Sequence, residues 1–110
     1  WYKASGDLRK GKWARHQIDD TLNRGHSLHG LDIDGDGKIE IISGYNGEGT
    51  SLQLYRPESL DGNRWTKEII DNGGLGVGQM IVEDLNGDGR MDIVASGLST
   101  GNLKWYENWG

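Results

Sequence analysis

Two short acidic stretches carry the side chains best able to do chemistry. The first reads Asp32-Ile33-Asp34-Gly35-Asp36-Gly37-Lys38-Ile39-Glu40, the second Asp84-Leu85-Asn86-Gly87-Asp88-Gly89-Arg90-Met91-Asp92. Both fit D-x-[D/N]-x-D-G-x-x-[D/E]. Calcium takes about six to eight oxygen ligands at roughly 2.3–2.6 Å. In a tight loop, residues 1, 3 and 5 turn their side-chain oxygens inward, and Gly at position 6 permits the bend. Position 7 then offers its carbonyl, and an acid at position 9 closes the cage. The rival reading is a pair of Asx/Gly turns whose acids are merely solvated. Four carboxylates (Asp32, Asp34, Asp36, Glu40) crowded into one loop repel one another without a cation, and the pattern occurs twice. Helix-flanked calcium loops need an acid at position 12, where this chain has Ser43 and Ala95. An all-oxygen donor set without Cys disfavours zinc, and magnesium stays open as an alternative that suits a less crowded oxygen cage.

The elements that must position these loops repeat. Laid on itself at an offset of 52, the chain matches Trp13 to Trp65, Ile18 to Ile70, Asp19 to Asp71, Asp32 to Asp84, Asp36 to Asp88 and Gly37 to Gly89. Ile41-Ile42 fall on Ile93-Val94. Beyond Gly44 the register slips, and Leu54-Tyr55 meets Trp105-Tyr106, while Trp1-Tyr2 stands before Trp13 as a third echo. The local period is that of strands. Four are expected per unit: A (26–33), B (38–45), C (51–56) and D (64–71), with Asn46-Gly47 as a hairpin signal between B and C. Trp13 to Asp19, Gly78 to Leu85 and the stretch around Trp105 supply further strands. The chain order becomes C–D, A–B–C–D, A–B–C. In repeat terms, units run over about 13–64 and 65–110, with 1–12 a partial strand of a neighbouring unit.

Composition narrows the function. The 110 residues carry 12 Lys+Arg against 17 Asp+Glu, a net charge of −5, so no basic surface invites nucleic acid or an anionic membrane. No apolar run approaches the roughly 18 residues of a membrane span. Zero Cys removes thiolate chemistry and disulfides. Hydrophobic residues make up 34%, and Gly 19 of 110, a polar, glycine-rich balance that would read as disorder but for five Trp and regularly spaced Ile, Leu and Val. Seven of the acids lie in the two loops, and two calcium ions would take the charge from −5 to −5 + 4 = −1.

The segments Gly30–Gly44 and Glu83–Val94, with the closing Asn102–Asn108, resemble FG-GAP/VCBS repeats, which form calcium-binding β-propeller blades in integrin α-subunits, some fungal sugar-binding lectins and many secreted microbial proteins. The resemblance implies an all-β fold of four-stranded antiparallel blades, two per chain. It implies two Ca²⁺ per chain: one held by Asp32, Asp34, Asp36, the Lys38 carbonyl and Glu40, the other by Asp84, Asn86, Asp88, the Arg90 carbonyl and Asp92. It also implies a non-catalytic binding scaffold, with carbohydrate as a ligand class and an extracellular setting. The Phe-Gly and Gly-Ala-Pro that name the repeat are absent.

Two units cannot close a propeller ring of about 4–8 blades. Strand D of one protomer completing the A–B–C sheet of the next is therefore expected, head to tail, with three chains giving six blades or four giving eight. The chain opens without Met and inside a strand, which reads as an excised or engineered piece of a propeller. His26 and His29, three apart in a strand, read as ordinary strand residues on opposite faces. The alternative places one of them at a polar site of a sugar-active lyase or dehydratase. His16 reads as a surface residue. Trp13, Trp65 and Trp105 read as packing between blades, Trp109 and Tyr45 as exposed stacking surfaces, and Asn72–Gly78 as a flexible connector.

Overall fold

Alternating apolar residues and glycine-rich turns produce nine strands and no α-helix among the described residues. The computed structural model describes residues 1–4, 6–49 and 51–110. The strands are β1 (Tyr2–Ala4), β2 (Trp13–Arg15), β3 (Gly25–Leu31), β4 (Glu40–Tyr45), β5 (Ser51–Pro57), β6 (Trp65–Asn72), β7 (Val77–Glu83), β8 (Asp92–Gly97) and β9 (Leu103–Tyr106). They form three antiparallel sheets, ordered β1-β2, β3-β4-β5-β6 and β7-β8-β9. This is the strand order expected from the repeat.

The registers repeat as well. Leu31 opposes Glu40 in the second sheet as Glu83 opposes Asp92 in the third, and both first strands bulge at the same place, Gly25/Ser27 and Val77/Gln79. Tyr2 opposes Arg15, and Ala4 opposes Trp13, as Tyr55 opposes Lys67 and Pro57 opposes Trp65. Strand β4 starts two residues later than expected, because Lys38 is still in the loop, its N–H donating to Asp36 Oδ1 at 2.8 Å. Strand β2 stops at Arg15, short of the expected Asp19, and Asp19 turns toward β5 instead.

One core lies between the second and third sheets. Ile42, Leu52 and Leu54 from one side meet Leu75, Val77, Met80, Ile93 and Ala95 from the other. The approach is close enough that a Cβ at Gly44 would lie 2.6 Å from three atoms of the Val77 side chain. A bare backbone position lets the two sheets seat. The connector Asn72–Gly78 is a correction to its expected flexibility. Leu75 and Val77 are fully buried, Leu98 N donates to Gly76 O at 2.7 Å, and Asn102 Nδ2 donates to Gly74 O at 3.0 Å. Its glycines are needed for close approach, since a Cβ at Gly76 would overlap Ser99 Oγ.

Candidate metal loops and the seam between sheets

Each acidic stretch folds into the turn joining the first two strands of its sheet. In the first loop Asp32 accepts from Gly35 N at 2.7 Å and from Gly37 N at 2.9 Å, and Asp34 accepts from Asp36 N at 3.2 Å. In the second, Asp84 accepts from Gly87 N at 2.8 Å and Gly89 N at 2.9 Å, and Asn86 Oδ1 from Asp88 N at 3.1 Å. Gly37 and Gly89 both stand at φ 86°, a left-handed backbone that the sixth position requires and that non-glycine residues resist. The ninth-position acids reach back in the same way: Glu40 Oε2 accepts from Ile33 N at 3.0 Å and Asp92 Oδ2 from Leu85 N at 3.3 Å. Both are buried, Glu40 at 2% and Asp92 at 0% exposure. The Asn108 N–H, at 2.8 Å from Asp92 Oδ1, holds that carboxyl below its usual range, against the opposing effect of burial.

The structure brings Asp32, Asp34 and Glu40 together, one oxygen of each lying within 4.8 Å of the others. Two ligands at about 2.4 Å from one calcium ion can be at most about 4.8 Å apart, so this grouping is the right size for it. Asp36 is not in that group. Its carboxylate is taken by Lys38 Nζ, which lowers its pKa, and Asp34 Oδ2 is met by Arg56 Nη1 at 2.9 Å. In the second loop Arg90 Nη2 pairs with Asp88, Arg90 Nε donates to Asn108 O at 2.7 Å, and Asn86 Nδ2 donates to Glu107 at 2.9 Å. Among the described residues, three acids converge this closely in the first loop only.

The histidines sit in other roles. His26 is the extra residue of the β3 bulge, so simple alternation does not govern it, and its Nδ1 lies 2.7 Å from Gly78 O across the seam. His29 is half-buried, opposite Ile42. His16 is half-buried rather than free at the surface, its ring stacked on Trp1 at 4.7 Å between centroids and its Nδ1 2.8 Å from Asn63 Oδ1. Trp105 opposes Val94 as Leu54 opposes Ile42, so it matches Leu54 and not Trp13 or Trp65. Trp13 and Trp105 are each 53% exposed, while Trp65 is half-buried and donates its indole N–H to Gly62 O at 2.9 Å.

A second repeated constellation was present in the sequence only as repeat anchors. Tyr55 Oη donates to Asp19 Oδ2 at 2.6 Å, and Tyr106 Oη donates to Asp71 Oδ2 at 2.6 Å. Each tyrosine belongs to one sheet and each acid to the segment ending the sheet before it. Lys67 Nζ joins Asp19 at 2.8 Å and Lys104 Nζ joins Asp71 at 2.7 Å, so the same charge balance is supplied from different strands. Burial pushes both acids up, but the lysine and tyrosine hydrogen bonds outweigh it and hold both below the usual carboxylate range, Asp19 the further. Desolvation and the neighbouring carboxylate push both tyrosines above their usual range. The pairing was legible at the 52-residue offset of Asp19 and Asp71, but only the folded chain puts a tyrosine on each.

Beside the loops, a cleft of about 580 Å³ opens between the second and third sheets. Asp34, Arg56, Glu68, Arg90, Tyr106 and Trp109 line it, with the Trp109 ring 80% exposed.

Two sheets of one pattern, each carrying an Asp-rich turn between its first two strands and locked at a shared seam, define an all-β repeat protein. The chain belongs to the FG-GAP-like repeat family, whose sequence profile matches residues 32–95, more than half of it. No curated protein and no solved structure is significantly similar to it.

Proposed function

We propose that this chain is a calcium-braced β-propeller-type binding module that does no chemistry of its own. The observation that supports it is the loop written twice and folded twice, each copy with a buried ninth-position acid reaching back to the loop's start. Asp32, Asp34, Asp36, the Lys38 carbonyl and Glu40 would hold one Ca²⁺, and Asp84, Asn86, Asp88, the Arg90 carbonyl and Asp92 the other. The bound ion supplies charge neutralisation and ties the turn to the second strand. Lys38 and Arg90 hold Asp36 and Asp88 until then. An extracellular setting, where such modules bind with Kd of the order of 10⁻⁴ to 10⁻³ M, would keep both sites loaded.

Calorimetric titration in chelator-treated buffer tests this. Two sites in that range are expected, with one lost in Glu40→Gln and the other in Asp92→Asn. Calcium at about ten to a hundred times Kd should raise stability by roughly 1.4–2.7 kcal/mol per site. Identical melting curves in excess calcium and excess chelator would reject the reading.

Carbohydrate is the ligand class the module would take, in the cleft beside the loops. The exposed Trp109 ring offers an apolar face to a pyranose, and Arg56, Glu68 and Arg90 offer hydrogen bonds to its hydroxyls. Binding on a glycan array that Trp109→Ala removes, without turnover, is the expected result. Turnover of a sugar that His26→Ala and His29→Ala abolish would replace this reading with an enzymatic one.

A further inference from the structure

The two ends of the molecule carry faces that its interior already joins once. By register, Ile93 opposes Tyr106 and Ala95 opposes Lys104, as Ile41 opposes Tyr55 and Ser43 opposes Gln53. Val94, Leu103 and Trp105 therefore hold the places of Ile42, Leu52 and Leu54. In the second sheet those residues are 0%, 0% and 4% exposed, because the third sheet covers them. Leu103 and Trp105 are 72% and 53% exposed. At the other end, Leu28 and Ile41 hold the places of Met80 and Ile93, which are 7% and 4% exposed within the seam. Leu28 is 67% exposed, and it and Ile41 face a cavity of about 300 Å³ beneath the β1-β2 hairpin. That hairpin has only two strands, so it covers the outer end of the face and leaves the inner end open.

We propose that a second copy of this chain docks head to tail, the outer face of its β7-β8-β9 sheet packing on the open face of the first copy's β3-β6 sheet and filling that cavity. The joint would reproduce the internal seam: Leu103 and Trp105 would meet Leu28 and Ile41 as Leu52 and Leu54 meet Met80 and Ile93. Strand β9 of the incoming copy takes the place of β1 against β2. Tyr106 would then oppose Arg15, as Tyr2 does now, and Trp105 would lie where Trp1 stacks on His16. By the same register Lys104 would run on to Gln17, past the end of β2, a stretch that Tyr2–Ala4 do not reach. The elongated form of the single chain agrees: its radius of gyration is 15.1 Å, against roughly 13 Å for a compact chain of this length. Because the contact joins two different faces, it is heterologous and propagates until a ring closes. The acidic loops lie outside both faces, so this proposal does not rest on the calcium reading.

Native mass spectrometry and light scattering of the full chain at about 10–100 μM test it. A closed oligomer of three or four copies is expected. Leu28→Glu and Leu103→Glu should each weaken assembly at least a hundredfold and give monomers. Both side chains are mostly exposed in the single chain, so circular dichroism should show each variant still folded, with melting below the parent's only by the contribution that assembly makes. Mixed in equal amounts, the two variants should form a one-to-one dimer through their single intact joint. A parent chain that stays monomeric, variants that assemble like the parent, or a mixture that stays monomeric would each overturn the proposal.

Discussion

Removing the hydroxyl of Tyr106 isolates the bond that locks the third sheet onto the second. In the structure Asp71 Oδ2 accepts from Tyr106 Oη at 2.6 Å and Lys104 Nζ at 2.7 Å, while Oδ1 accepts from Gly74 N at 2.7 Å. A hydrogen bond to a charged group contributes about 1.5–3 kcal/mol. Lys104 stays on the same oxygen and Tyr106 is only half-buried, which places Tyr106→Phe near the lower end, about 1.5 kcal/mol. Asp71→Asn removes the charge from all three donors, but Lys104 is 37% exposed and can turn to water. Its cost should be about 2 kcal/mol, below the roughly 3–5 of breaking a fully buried pair. The double variant should show a coupling of about 1 kcal/mol. Urea denaturation at neutral pH measures the cycle, and Tyr106→Phe should lower Tm by roughly 6–12 °C. The acid limb adds a second readout. The folded carboxyl titrates below its unfolded value of about 3.9, so the unfolded chain binds the proton first. The stabilisation is complete above about pH 5 and is lost as the pH falls through 4 and below. Asp71→Asn should flatten that limb. A coupling under about 0.3 kcal/mol would mean the two sheets merely abut and would refute the reasoning.

Gly44→Ala should destabilise the chain by about 1–3 kcal/mol in the same assay, because its new methyl meets Val77, and Val77→Ala should recover part of the loss. Leu52→Ala, fully buried in the seam, should cost about 2–5 kcal/mol. The matching Leu103→Ala, 72% exposed, should cost under about 0.5 kcal/mol to the isolated chain. Asn86→Asp gives the second loop the carboxylate that Asp34 gives the first. Calorimetry should show tighter calcium binding there, and thermal melts in chelator should show a less stable chain, since Asp84 and Asp88 then face a third acid.

The loops were legible because their chemistry is local. Position 6 must bend, position 9 must close, and Gly37, Gly89, Glu40 and Asp92 occupy those positions in both sequence and structure. The strand order followed from period-two patterning and an internal repeat, neither of which needs distant contacts. What failed to read were features that depend on a neighbour. Asn72–Gly78 looks flexible by composition, yet its second half, from Leu75 on, is buried, and residues 97–102 lie against it. Trp105 falls on Leu54 in the repeat and reads as packing between sheets, yet it is 53% exposed where Leu54 is 4%, because no surface covers it. His26 escaped alternation because a bulge, which is set by pairing, moved it.

The sequence by itself determined the local units: two Asp-rich loops, nine short strands and their order, and a 52-residue period. Only the tertiary structure decided what meets the loops from outside, Arg56 at Asp34 and Glu107 at Asn86. It alone placed Tyr55 on Asp19 and Tyr106 on Asp71, and it alone divided equivalent leucines into buried Leu52 and exposed Leu103. The physical reason is that a loop's geometry is set by residues a few positions apart, whereas burial depends on which surface arrives from elsewhere to exclude the water.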